Sequence, residues 1–198
     1  MGLYTVVITG ASGSAYGLRL VEQLVLGGHE VTVTMTDAGR DVTSYELDFD
    51  LPMEEPANGL KAYLELGKDA PLRYACANDL FDPIASGSHR VDAMVVAPAS
   101  MGFVGAVASG LANNLPERAA DVMLKERRPL ILVPRETPLS LVHLRNLTSL
   151  AEAGAVVVPA SPAFYQKPQS LDDMVNFVVG KVLDVLGVDH GLFERWGE

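Results

Sequence analysis

Three stretches of the chain carry small, cationic or acidic residues at spacings that suit a phosphorylated ligand. Thr9-Gly10-Ala11-Ser12-Gly13-Ser14-Ala15-Tyr16-Gly17 leaves backbone N–H groups uncovered by bulky side chains. A phosphate needs such a turn to approach a helix N-terminus closely. The dinucleotide pattern G-x-G-x-x-G is broken at Ser12, and none of the six tyrosines is followed four residues on by Lys. A nicotinamide oxidoreductase is disfavoured on both counts; a plain tight turn stays open. The second stretch holds Arg118, Lys125, Arg127, Arg128 and Arg135, a dense basic cluster in an acidic chain. Arg118 and Lys125 lie seven apart, two helical turns, so they share a face and suit a phosphate or pyrophosphate leaving group. A solvated helix face paired with Glu117, Asp121 and Glu126 accounts for the same spacing. The third stretch, Val133-Pro134-Arg135-Glu136-Thr137-Pro138, sets a ligand-binding Arg beside an acid–base Glu, or else a salt-bridged loop. Ser100, in Pro98-Ala99-Ser100-Met101-Gly102, and Ser86, in Ser86-Gly87-Ser88, add hydroxyls among small residues. The four histidines show no metal-ligand spacing, so no metal is expected.

These residues need elements to hold them. Tyr4–Thr9, Val31–Met35, Ala93–Ala97, Leu130–Val133 and Val156–Val158 are β-branched or aliphatic runs, the mark of buried strands. Helical spacing appears over 14–26, ended by Gly27-Gly28, over 37–47 with Asp37 as a candidate cap, and near 117–127, 139–153 and 170–186. Strands alternating with helices predict an α/β fold: a doubly wound, mostly parallel sheet, Rossmann or flavodoxin-like, with helices on both faces. The stretch from Asp50 to Asp82, broken by Pro52, Pro56, Gly59, Gly67 and Pro71, reads as an irregular excursion inside a single domain spanning 1–198. In such folds ligands bind beyond the carboxyl ends of the strands, which is where these motifs fall.

Composition narrows the partners. A net charge of −10 argues against nucleic acid and anionic membranes. One cysteine, Cys76, excludes a disulfide framework, and no apolar run reaches membrane-spanning length. With no basic leader visible, the expectation is a cytoplasmic protein.

Taken together, the motifs resemble the flavin prenyltransferase family, within the flavoprotein group that includes peptidyl-cysteine decarboxylases. The most specific stretch is Asn113-Asn114-Leu115-Pro116-Glu117-Arg118 through Lys125-Glu126-Arg127-Arg128-Pro129-Leu130. Val133 to Pro138, Pro162-Ala163-Phe164-Tyr165, Pro168-Gln169-Ser170 and Arg195-Trp196 extend it over nearly the whole chain. The resemblance implies transfer of a dimethylallyl group from dimethylallyl phosphate to N5 and C6 of reduced FMN. The product, prenylated FMN, would serve a partner decarboxylase. By position, Gly10, Ala11, Ser12, Thr36, Ser100, Met101, Gly102, Phe103 and Arg135 would hold FMN, and Ser86 is a further candidate for that role. Arg118, Lys125, Tyr165 and Lys181 would hold the prenyl phosphate. Glu136, Ser12, Glu46 and Trp196 are the catalytic candidates. The FMN phosphate is expected at the Gly10–Ser14 turn, without metal. Family members form dodecamers, so a homo-oligomer is implied.

Two positions depart from the family pattern. Asp37 stands where a Lys is common, and Lys181 where an Arg is common, which keeps the charge but loses the bidentate fork. Two rival readings remain: a flavin-dependent decarboxylase of the same group, which would need an Asn where Met101-Gly102-Phe103 stands, and a non-catalytic FMN-binding subunit, which would need no phosphate clamp.

Overall fold

The computed structural model describes residues 1–194. Its centre is a sheet of six parallel strands: β1 (Leu3–Ile8), β2 (Glu30–Met35), β3 (Leu72–Tyr74), β4 (Ala93–Ala99), β5 (Leu130–Pro134) and β6 (Val156–Val157). Their order across the sheet is β3-β2-β1-β4-β5-β6. The chain therefore winds outward one way through β2 and β3, then returns to β4 beside β1 and winds the other way. That reversal leaves a crevice at the carboxyl ends of β1 and β4.

Side-chain alternation explains why both faces are covered. Val6 and Ile8 of β1, Val95 and Ala97 of β4, and Ile131 and Val133 of β5 enter one apolar cluster. The intervening Val7, Met94, Val96, Leu130 and Leu132 enter a second. A period of two sends neighbours to opposite faces, and each face must be capped by helices. The first is capped by α1 (Ser14–Leu26) and by the carboxyl-terminal helix α7 (Leu171–Leu186), through Leu18, Val21, Val178 and Val182. On the second lie α4 (Met101–Ala108), α5 (Leu115–Lys125) and α6 (Leu141–Glu152), which contribute Val104, Ala119, Met123 and Leu150. Fully burying one such aliphatic side chain stabilises the fold by roughly 1.5–3 kcal/mol. Gly17 lets α1 lie directly on β4: a Cβ there would come within 2.2 Å of the Ala97 carbonyl oxygen.

Four local expectations change. The 50–82 excursion contains helix α3 (Pro56–Tyr63) and the edge strand β3. Met101 opens helix α4 instead of continuing a loop, with Ser100 as its cap: the Ser100 hydroxyl accepts from the Phe103 N–H at 3.3 Å. Helix α2 (Asp37–Leu47) is capped by Thr36, whose Oγ1 accepts from the Gly39 N–H at 3.0 Å, and Asp37 is its exposed first residue. Helix α5 begins two residues before the expected start, behind an Asn114 side chain that accepts from the Glu117 N–H at 2.9 Å.

Candidate functional site

The turns leaving β1, β2, β4 and β5 meet at one edge of the sheet. A threonine joins the first pair: the buried Thr9 Oγ1 donates to the Pro98 carbonyl at 2.7 Å and accepts from the Ser100 N–H at 2.7 Å. This places Gly10, Ala11 and Ser12 opposite Ser100, Met101, Gly102 and Phe103 across the crevice. Gly10 can lie against α2 only because it lacks a Cβ, which would sit 2.6 Å from the Ala38 methyl. From the far side, Arg135 Nε donates to the Ser12 carbonyl at 3.0 Å, spanning from the end of β5 to the turn after β1. Thr36 completes the row at the end of β2, its own N–H donating to the Ile8 carbonyl at 3.1 Å. Of the cofactor-binding candidates, the structure brings all of these together.

Ser86 is elsewhere. Its exposed hydroxyl lies 2.8 Å from that of Ser88, on a loop that runs along α5. Arg118 Nε donates to the Ala85 carbonyl on the same loop at 3.1 Å, and Arg118 also pairs with Asp121. Lys125, paired with Glu126, stands beside Gly87. Arg128 is committed to structure, donating to the carbonyls of His89 and Gly87 at 2.7 Å each. The shared face expected for Arg118 and Lys125 is present. However, Lys125 closes α5 just before β5 begins, at the amino edge of the sheet, whereas Arg135 lies past its carboxyl end. A five-residue strand puts them on the order of 15–20 Å apart.

The remaining donor-phosphate candidates form another group. Tyr165, half exposed, sits in a short 3₁₀ turn (Phe164–Gln166) with its ring edge-on to Phe177. Lys181 projects from the third turn of α7, with Nζ donating to Asp184 Oδ2 at 2.9 Å. Tyr165 follows β6 at the carboxyl edge, whereas Lys181, ten residues into α7, and Lys125 are carried away from the strand ends within one chain.

Among the catalytic candidates, Ser12 is exposed at the first turn and Glu136 is exposed at the fourth, where Glu136 Oε1 accepts from the Thr137 N–H at 2.9 Å. Trp196 lies outside the described residues. Glu46 shows an arrangement that sequence reasoning missed. From the last turn of α2 its Oε2 accepts from the N–H groups of Gly13 at 2.9 Å and Ser14 at 3.2 Å. A carboxylate of the chain itself thus caps the positive end of α1. The contact spans 33 residues, and no local pattern announces it. Within the chain itself this carboxylate occupies the Gly13 and Ser14 N–H groups of the turn expected to meet the phosphate, while Gly10 and Ser12 are exposed. Tyr16 was also missed. Its ring covers Gly13, where a Cβ would lie 2.8 Å from two ring atoms, and Gly13 needs its glycine in any case at φ 107°. Burial raises the Tyr16 pKa, while the nearby Arg135 charge pulls it down.

The edge suits a flat, phosphorylated molecule. Space is open where a Gly102 Cβ would point, Gly10 and Ser12 are exposed, and Ser14 Oγ is buried without a partner. Among the described residues no group of acidic, His or Cys side chains could hold a metal ion, and no helix is long and apolar enough to cross a membrane.

A model of the flavoprotein family matches residues 4–183. The flavin prenyltransferase UbiX of Halalkalibacterium halodurans is 46% identical over 197 residues, covering 100% of this chain and 94% of that protein. Its counterpart from Pseudomonas aeruginosa is 48% identical, covering 98% and 93%. Among solved structures, a UbiX protein (PadA1) in complex with FMN and dimethylallyl pyrophosphate superposes with a TM-score of 0.88 at 38% identity, covering 100% of this chain and 98% of that one. A dodecameric FMN-dependent UbiX-like decarboxylase from Escherichia coli O157:H7 gives 0.86 at 35%, covering 99% and 100%.

Proposed function

The chain belongs to the flavoprotein family as a flavin prenyltransferase, and from that premise we propose that it moves a dimethylallyl group from dimethylallyl phosphate onto reduced FMN. The observation that carries the assignment of roles is the Arg135–Ser12 contact, which closes a rim over the β1–β4 crevice. FMN, when bound, supplies the nucleophilic N5 and C6 atoms of its reduced ring. The chain's residues do the rest. The backbone of Gly10 to Ser12, the Thr36 and Ser100 hydroxyls and the first turn of α4 hold the flavin and its phosphate, with Arg135 as the fixed cation. Arg118, Lys125, Tyr165 and Lys181 bind the donor phosphate and stabilise the charge that builds on it as the allylic carbon departs. Glu136 accepts the proton that C6 gives up as the ring closes, and the phosphate released from the donor supplies the proton that the prenyl double bond takes up. Ser12 and Glu46 line the flavin from the α1 side.

Because Lys125 and Lys181 stand away from their own chain's strand ends, the donor phosphate and the flavin meet where copies adjoin. The working form is therefore a homo-oligomer, and the dodecamer formed by the E. coli UbiX-like protein supports that reading. The product passes to a decarboxylase that uses prenylated FMN, and a single cysteine fits a cytoplasmic setting. The test is anaerobic incubation with reduced FMN and dimethylallyl phosphate in the presence of a chelator, followed by mass analysis of the flavin. A gain of one five-carbon unit is expected. An unchanged flavin mass, or a strict need for Mg²⁺, overturns the proposal.

A further inference from the structure

Lys181 and Tyr165 are tied to the end of the chain by contacts that phosphate binding alone does not demand. The link begins at Gly180. A Cβ there would lie 2.3 Å from Phe193 Cε1 and 2.8 Å from His190 Cε1, so the missing side chain lets both rings rest on the helix backbone. An aromatic ladder continues from them. The centroids of His190 and Phe193 are 5.0 Å apart, those of Phe193 and Phe177 5.2 Å, and those of Phe177 and Tyr165 5.9 Å. Each spacing is within the range in which aromatic pairs attract beyond simple burial. The ladder runs from the tail, across α7, to the 3₁₀ turn.

Polar contacts follow the same path. The Leu192 N–H donates to His190 Nδ1 at 3.2 Å, which assigns the ring proton to Nε2. Nε2 then faces Asp184 Oδ1 at 3.3 Å, while the other Asp184 oxygen accepts from Lys181. The Lys181 ammonium also lies 5.9 Å from the Phe193 ring centroid, at the outer limit of a cation–π contact. Gln166 Nε2 reaches the Glu194 carbonyl at 2.9 Å and closes the loop. The His190 side chain is only 2% exposed, so it is packed into the fold beside α7.

We propose that His190–Glu194 is a strap that positions Lys181 and Tyr165 for the phosphate of the prenyl donor, with Phe193 as the residue that couples the two. The inference rests on the prenyltransferase reading above. Its physical basis is the nature of lysine. A lysine is a point charge on a flexible stem, with no fork of its own to fix direction, so its place must be set by its surroundings. Asp184 and the Phe193 face supply two such constraints. Tyr165, half exposed, takes its orientation from Phe177, which leans on Phe193. His190 and Phe193 are positioning residues and need not touch a substrate.

The test uses the full chain with Phe193→Ala and Phe193→Tyr. Amide hydrogen exchange is read in the ligand-free protein. FMN affinity, and kcat and KM for dimethylallyl phosphate, are read separately. Phe193→Ala should speed exchange in both 188–194 and 164–166 and raise the donor KM about tenfold, with FMN affinity unchanged. Phe193→Tyr, which keeps the ring face, should restore both readouts. If Phe193→Ala fails to fold, Phe193→Leu decides by the same criteria. Faster exchange confined to 188–194, or an unchanged donor KM, overturns the strap. Wild-type protein that leaves FMN unmodified overturns the prenyltransferase reading instead, and exchange at 164–166 then decides the coupling by itself.

Discussion

Replacing Glu46 tests how the amino end of α1 is neutralised. Glu46→Ala removes an acceptor bonded to two backbone N–H groups, at 2.9 and 3.2 Å, from a half-buried position. Loss of a side-chain cap costs about 1 kcal/mol, and loss of a negative charge at a helix N-terminus costs about 0.5 kcal/mol more. For a chain of this size, that total lowers Tm by roughly 3–6 °C. Glu46→Gln keeps an oxygen acceptor and loses only the charge, so its Tm should fall by about 1–2 °C. The vacated N–H groups should then accept an anion from solution. Inorganic phosphate at about ten times its dissociation constant stabilises the protein that binds it by about 1.4 kcal/mol, enough to recover most of the loss. Thermal unfolding in chloride and in phosphate buffers of equal ionic strength reads this directly. Phosphate should raise the Tm of Glu46→Ala well above any shift in wild type. Equal shifts in the two proteins, or a Glu46→Ala Tm within a degree of wild type, would refute the idea that this carboxylate holds the helix end.

Three further outcomes are expected. Arg135→Ala should weaken FMN binding by about 10- to 100-fold in titration calorimetry, and Arg135→Lys should recover only part of that because lysine cannot hold a backbone carbonyl and a phosphate in one rigid fork. Lys125→Ala should leave FMN affinity unchanged and raise the donor KM by about tenfold or more, since its partner is the departing phosphate. For Asp82, burial raises its pKa, but the two-bond Arg73 fork and the Ile84 N–H outweigh that and hold the carboxyl below its ordinary value. A depressed folded pKa gives stability that is present above the unfolded value near 4 and lost as pH falls through the folded one. Wild type should therefore outlast Asp82→Asn in urea at neutral pH, and the gap should shrink below about pH 4.

The parts of this protein written in local pattern were legible in its sequence. β1, β2, β4 and β5 appear as β-branched and aliphatic runs because each is buried on both faces, and the parallel doubly wound arrangement follows from their alternation with helices. β3 was hidden because Leu72–Tyr74 is too short to establish a period and follows Pro71 directly. α4 was hidden by its composition: Ser100, Met101 and Gly102 look like a ligand loop, and the Ser100 hydroxyl that suggested ligand contact also caps a helix. At the site, spacing correctly put Arg118 and Lys125 on one helical face. It carried no information about which edge of the sheet Lys125 would reach. The Glu46 cap and the tail's hold on Lys181 arise from chain segments far apart or folded back, where no period exists to read.

Thr9 has a mechanical consequence. A hydroxyl clenched between the Pro98 carbonyl and the Ser100 amide leaves no room for a hinge between the turns after β1 and β4. These turns form a fixed floor, so any opening that admits a molecule the size of a flavin must come from the flanking walls. Those walls are the start of α2 and the exposed stretch 136–140, both held by fewer long-range bonds.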